Sequence, residues 1–279
     1  MVTLNIFKMK KIIYTVFAIF IVNISFSQER IWVSFYKVDE NHRTEYETLM
    51  KDVFGKIMKQ RVEDGCMKNW IFRKLSNNSS MSEQFTHMTI DVYNDGATNY
   101  LCNDEGNLDS FDDLVMKVNQ ETEVIRKKVF PNQSKEVYQI LNSLKNSARN
   151  IIYRTNLIKV SGFNKIDKTP KYAIWCFTKT KNQNYEKRHS DKDWLNAAKK
   201  SFGHDAWYSF KRDEPVMGMK EWNYITVDAF DKESKIYKGG TPMDSKITDK
   251  MVEKYGTNSS QREIWKRVKT ELIFSAKDN

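Results

Sequence analysis

One five-residue pattern, Thr-aliphatic-Asp-aliphatic-aromatic, occurs twice in this chain. Thr89-Ile90-Asp91-Val92-Tyr93 returns as Thr226-Val227-Asp228-Ala229-Phe230, 137 positions later. The same offset sets Trp70 on Trp207 and Lys74 on Lys211. Further on, Arg154-Thr155-Asn156-Leu157-Ile158 matches Lys269-Thr270-Glu271-Leu272-Ile273 at an offset of 115. Self-similarity of this kind means one structural unit used twice, so the fold must be one that two copies can complete together. The difference between the offsets places about 22 extra residues in the first copy, between its third and last strands.

Each copy reads as strand, helix, strand, strand, helix, strand. In the first, Ile31–Val38 is rich in β-branched and aromatic residues and reads as a strand. Tyr46, Leu49, Met50, Val53, Phe54, Ile57, Met58 and Val62 recur every three or four positions, which lays one apolar stripe along a helix ended at Gly65. Met67–Leu75 and Phe85–Tyr93 read as a hairpin around the Ser/Asn-rich stretch Ser76–Ser82. Phe111 to Val129 predicts a helix stopped by Pro131, and a further helix from Ser134 fills most of an insertion at about 131–150. Ile151–Val160 closes the unit.

Residues 28–160 thus form the first copy, 161–170 a linker and 171–279 the second. The second copy is expected to place strands at Tyr172–Thr178, Asp205–Arg212, Trp222–Phe230 and Thr270–Ser275. A helix ends near Gly203, with Ser190 and Asp193 as an approximate capping box, and helical pieces run from Ile247 to Val268.

A βαββαβ unit gives a four-stranded antiparallel sheet with both helices on one face, the ferredoxin-like arrangement. Its other face must be covered, and two copies can do this face to face. The expected fold class is therefore α+β, two ferredoxin-like repeats forming a pseudo-dimeric α/β barrel. This layout resembles the dimeric α/β-barrel superfamily in a fused form over residues 31–275. That group includes antibiotic-biosynthesis-monooxygenase-like proteins, NIPSNAP-like proteins and haem-binding relatives. The resemblance implies small-molecule chemistry, such as that of a cofactor-independent oxygenase or isomerase.

The N-terminal segment carries Lys8, Lys10 and Lys11, then an apolar run from Ile12 to Ile24, then Ser25-Phe26-Ser27. That order is the pattern of a secretory signal peptide over residues 1–27. The apolar run is shorter than the roughly 20 residues a spanning helix needs, so no membrane anchor is expected after cleavage. The product is expected in the periplasm or secreted. Formal net charge is +10, and Lys and Arg alternate with Asp and Glu instead of forming a basic stripe. Nucleic acid is therefore not an expected partner. Cys66, Cys102 and Cys176 allow at most one bridge, whose pairing is left open, and structural thiols are the expectation. Their spacing matches no metal site. Oligomeric state is not legible.

Strand alternation sorts the remaining candidates. Met88, Ile90 and Val92, with Ile225, Val227 and Ala229, are expected against the helices. The opposite sets, Phe85, His87, Thr89, Asp91 and Tyr93, and Trp222, Tyr224, Thr226, Asp228 and Phe230, would face the space between the sheets. Trp32, Ser34, Tyr36, Ala173, Trp175 and Phe177 are expected there too, joined by Trp70 and Trp207.

Such a surface suits a small, partly apolar molecule. His87, Asp91 and Asp228 are the candidate acid–base groups, and Trp32, Tyr36, Thr89, Trp175, Tyr224 and Thr226 the candidate ligand contacts. A histidine near neutral pKa, or a carboxylate raised by desolvation, suits proton transfer. A filled, non-catalytic core between the sheets is the competing expectation. No cofactor is expected. Haem is a lesser option, because the resemblance includes relatives that ligate it with one histidine, which here would be His42, His189 or His204. No Gly-rich phosphate loop, His-Glu-x-x-His or Gly-x-Ser-x-Gly occurs.

Overall fold

A computed structural model describes residues 29–76, 84–94, 97, 101–102, 111–217, 221–236 and 243–278. The expected leader, residues 1–27, lies outside them, as does most of the expected hairpin loop. The first half contains β1 (Arg30–Val38), α1 (Arg43–Leu49), a π turn (Met50–Phe54), α2 (Gly55–Glu63), β2 (Asn69–Leu75), β3 (His87–Val92), α3 (Phe111–Val129), α4 (Lys135–Ser147) and β4 (Arg149–Asn164). The second contains β5 (Tyr172–Thr180), α5 (Asn184–Ser190), α6 (Lys192–Ser201), β6 (Ala206–Met217), β7 (Tyr224–Phe230), α7 (Glu233–Ile236), α8 (Ser245–Tyr255), α9 (Asn258–Gln261) and β8 (Arg262–Ser275). The chain is α+β, and its eight strands close into an antiparallel barrel in the order β1-β3-β2-β8-β5-β7-β6-β4.

Closure depends on two long strands. β4 pairs with β1 through Arg149–Ile158 and with β6 through Arg154–Asn164. β8 pairs with β5 through Arg262–Glu271 and with β2 through Thr270–Ser275. Each must span two neighbours in offset registers, so each outruns its expected length. This corrects two expectations: β4 enters the expected linker as far as Asn164, and 262–268 is strand, not helix. Gly65 ends the first helical run with φ +78°, a left-handed conformation that glycine adopts without strain.

The barrel is filled by alternate side chains from its strands, as small barrels are. Ile31, Val33, Phe35, Met88, Ile90, Trp175, Phe177, Ile225 and Val227 belong to one buried core. The opposite faces pack under helices: Tyr36, Trp70 and Phe72 with Tyr46, Met50 and Phe54, and Trp207 with Trp194 and Met251. The expected facing is therefore inverted at the repeated pattern. Ile90 and Val227 look into the barrel, whereas His87, Thr89, Asp91, Tyr224, Thr226 and Asp228 look toward the helices, with Trp32, Tyr36, Trp70 and Trp207. Of the expected site residues, Trp175 alone faces inward, joined by Phe85 and Trp222 from the approaches to β3 and β7. The physical reason is that both faces are covered, so alternation separates two sets without saying which cover is which.

Among the described residues, no helix is long and apolar enough to cross a membrane. Cys66 and Cys102 form a disulfide, within the one bridge the sequence allows, and Cys176 is a buried thiol.

Candidate functional site

The expected acid–base residues do not share one site. His87 sits in the first half beneath α1, with Nδ1 2.9 Å from the Thr86 hydroxyl and Nε2 3.0 Å from a Glu47 carboxylate oxygen. Its ring stacks on Phe72 and meets Tyr46 edge-on. With 1% of its side chain exposed, burial lowers its pKa against the pull of Glu47. A neutral imidazole that donates from Nε2–H to Glu47 satisfies this geometry. Thr89 Oγ1 is 3.1 Å from the Tyr36 hydroxyl, and Trp32 Nε1 donates to Ser34 Oγ at 3.1 Å. These are internal bonds of a packed layer.

Asp91 and Asp228 occupy matching positions in the ladders. Asp91 pairs with Trp32 and Trp70, and Asp228 with Ile174 and Trp207. Burial pushes Asp91 up to about 7, opposed by Arg61 and Arg154. Burial pushes Asp228 up to about 6, opposed by Arg267 and Arg262.

Asp228 opens on a sizeable cleft. Lying deep beneath the helices, its side chain still keeps 30% of its accessibility, because it borders a cavity of about 480 Å³ between the second half-sheet and α5, α6 and α8. Ile174, Trp194, Phe202, Trp207 and Met243 wall this cleft, and Thr226 joins Asp228 on its floor. Arg188, Arg262 and Arg267 bring three guanidinium groups to it.

Two imidazoles border the same space. His189, on α5, is caged by the rings of Tyr185, Trp194, Trp207 and Tyr224 at 4.3–5.7 Å. Its Nδ1 lies 3.3 Å from the Tyr224 hydroxyl. Burial, aided by Arg262 and Arg188, pulls its pKa down to about 3, so it is neutral at pH 7. His204 is pulled down to about 4 by burial and Lys165. Its Nε2 is 3.9 Å from Asp228 Oδ1, too far for a hydrogen bond, and its buried Nδ1 has no hydrogen-bond partner among the described residues. Tyr224 lies beside the cleft and anchors His189, so its expected role as a ligand contact becomes one of support.

The roof is set by Asp191, which caps α6 by accepting from the backbone N–H of Asp193 and Trp194. The expected capping box on Ser190 is thereby corrected by one residue. Arg188, His189, Trp194, Arg262 and Arg267 were not expected as site residues. Arg262 and Arg267 lie in alternating charge that reads as solvated surface, whereas Trp194 at helical spacing from Ala198 was a legible sign of a buried helix face. No cluster of three or more metal-ligating side chains occurs among the described residues.

No family model matches this chain, and no curated protein matches it. Solved structures do. A protein from Fusobacterium nucleatum proposed to be a monooxygenase aligns with a TM-score of 0.46 at 10% identity, over 90% of this chain and 94% of its own. A haem-binding protein from Thermus thermophilus aligns at 0.42 and 8% identity, over 88% and 91%. A mutant chlorite dismutase from Candidatus Nitrospira defluvii aligns at 0.42 and 9%, over 88% and 92%. At these identities and TM-scores the likeness carries no argument, and the closed eight-stranded antiparallel barrel rests on this chain's own strand order.

Proposed function

We propose that this chain is an exported protein that binds a small, partly apolar anion beneath the helices of its second half. One observation carries the reading: a desolvated carboxyl, Asp228, and three arginines converge on an apolar-walled cleft of about 480 Å³. Aromatic walls with a few convergent polar groups are the usual make-up of a small-molecule site. The ligand keeps the partly apolar character expected from the sequence, while the site moves from between the sheets to the outer face.

Titration with 1-naphthoate, a flat aromatic carboxylate, tests this. It should quench the fluorescence of Trp194 and Trp207, and the quench should disappear in Thr226→Trp, which fills the cleft. It should weaken about tenfold in Arg262→Gln, the scale of one charge-assisted hydrogen bond. Equal quenching in all three proteins would remove the site.

A second reading is an enzyme, a cofactor-independent oxygenase or isomerase in which Asp228 takes a proton from an acidic O–H or C–H of the ligand. A pKa raised to about 6 favours it, because a general base works best near the ambient pH. Asp228→Asn should then abolish turnover with little change in affinity. Haem fits the same residues: His189 or His204 offers a neutral imidazole, His204 with Nδ1 unpartnered among the described residues, and the arginines suit carboxylates. Bound there, haem would supply redox chemistry at its iron. Absence of a Soret band after incubation with haemin would exclude it.

Export through cleavage after residue 27, to the periplasm or beyond, is supported by the Cys66–Cys102 bridge, since disulfides persist in oxidising compartments. N-terminal sequencing of the mature protein should begin at Gln28. The origin of the two halves in one duplicated ferredoxin-like unit is supported by the strand orders β4-β1-β3-β2 and β8-β5-β7-β6 and by the matched registers of Asp91 and Asp228.

A further inference from the structure

The barrel itself is not filled from end to end. Phe35, Phe85, Tyr153, Phe177 and Trp222 plug one end, with ring centroids 4.6–6.0 Å apart. Toward the other end a cavity of about 440 Å³ remains between the two half-sheets, floored by Ile71, Ile90, Val92, Trp175 and Val227. The segment from Asn164 to Pro170, which joins the halves, runs along its rim. Thr169 fastens that segment through its hydroxyl to Ser275 (2.8 Å) and through its N–H to Asp278 (2.8 Å).

Arg73 projects into this space from β2 and is 3% exposed. Its guanidinium donates to the carbonyls of Pro170 and Lys171 and to the Thr270 hydroxyl, all uncharged partners. Among the described residues no carboxylate lies within ion-pairing distance of it. A buried cation held only by dipoles keeps a desolvation cost that an anion would offset. The lining as a whole carries five cationic side chains, Lys68, Arg73, Lys159, Lys168 and Lys277, against Glu29 and Asp167. Glu29 is already engaged by Lys68 and Lys159 at 3.6 and 3.2 Å.

We infer that the open end of the barrel is a second ligand site, taking a small amphipathic carboxylate with its head on Arg73 and its apolar body against Ile90, Val92 and Trp175. A guanidinium matches a carboxylate in shape and charge, and the floor supplies the apolar burial. The cations at the rim favour approach of an anion. The site shares no lining residue with the outer cleft, so the two stand or fall separately.

Isothermal titration of the full chain with octanoate, and with 1-octanol as its uncharged counterpart, tests the assignment. Octanoate should bind more tightly than octanol. Its affinity should fall about tenfold to a hundredfold in Arg73→Met, the range of one hydrogen-bonded charge. It should fall as far in Val92→Trp, which fills the mouth and leaves Arg73 in place, whereas Thr226→Trp, which blocks only the outer cleft, should retain the Arg73-dependent binding. Arg73→Met should melt at or above the wild-type temperature without ligand, since it replaces an uncompensated cation by an apolar chain of similar volume. Should it unfold, Val92→Trp carries the test alone. No octanoate binding, equal binding of octanol, or an affinity unaltered by Val92→Trp would each overturn the site.

Discussion

Asp228 and Trp207 are direct cross-strand neighbours on the face of β7 and β6 that the helices cover. Asp91 and Trp70 stand in the same relation on β3 and β2. Each aspartate is thereby held beside a bulky indole in a poorly solvated layer, and that is why both carboxyls titrate high.

The sign of the resulting pH dependence follows from linkage. A carboxyl whose folded pKa is raised binds its proton more tightly when folded, so its stabilisation is complete below about 4 and fades as pH rises through the folded value. The losses should set in above about 4 and be complete near about 6 for Asp228 and about 7 for Asp91. Asp91→Asn and Asp228→Asn should each raise stability at pH 8 by about 1–2 kcal/mol, less than the full shift because some solvent reaches these carboxyls. Melting temperatures from pH 4 to 8 check this. A double variant with the wild-type slope would show that neither acid carries the shift.

His87 is built into the first half, away from the cleft of the second. Its two ring nitrogens are taken by Thr86 and Glu47, and its ring packs on Phe72. His87→Ala should lower the urea unfolding free energy by about 2–4 kcal/mol, from the lost packing and the carboxylate left without its donor. Binding of 1-naphthoate to the second half should be unchanged in buffer. A variant of wild-type stability that no longer binds would reverse these roles.

Much of this architecture is readable from residues alone, because repetition at a fixed offset is a long-range signal that single strands lack. The Thr-x-Asp found in each half falls on β3 and β7, where Asp91 stands opposite Trp70 and Asp228 opposite Trp207. What periodicity cannot supply is a direction. In an open sheet, polar residues at alternate positions point to water, but here Ile90 and Asp91 both have a roof, one made of strands and one of helices. Nor does local pattern show that β4 and β8 must each serve two neighbours, so 262–268, with its Arg, Glu and Lys, reads as solvated helix. The arginines of the cleft escaped for the same reason: Arg188 and Arg262 come together only through folding.

The Cys66–Cys102 bridge closes 36 residues of chain between the end of α2 and the approach to α3. Constraining a loop of that length in the unfolded state contributes about 3–4 kcal/mol in the chain-entropy view. Reduction, or Cys66→Ala with Cys102→Ala, should lower the melting temperature by about 10 °C, given the size of the chain. An unchanged melting temperature under dithiothreitol would mean the two sulfurs are unlinked in solution. Cys176, buried on β5 at the edge of the cleft, should react with maleimide more slowly in the folded protein than in the unfolded one.

Asp191 ties the roof of the cleft together, and its charge does the tying. It caps α6 and also accepts from Lys254 Nζ at 2.8 Å and the Tyr255 hydroxyl at 2.9 Å on α8. Burial would raise its pKa, but these donors outweigh it and hold the carboxyl down at about 2. A depressed carboxyl stabilises the fold above its unfolded pKa near 4, and the contribution fades as pH falls toward about 2. Asp191→Ala should cost about 1–2 kcal/mol at pH 7, the usual range for a lost N-cap. Asp191→Asn keeps a good cap and loses the charge, so it should cost less. Lys254 is half exposed and its pairing is screened by solvent. Because Trp194 follows the cap directly and walls the cleft, Asp191→Ala should also weaken 1-naphthoate binding, whereas Asp191→Asn should leave it near wild type. Equal affinities in both variants would show that the cap holds the helix without shaping the cleft.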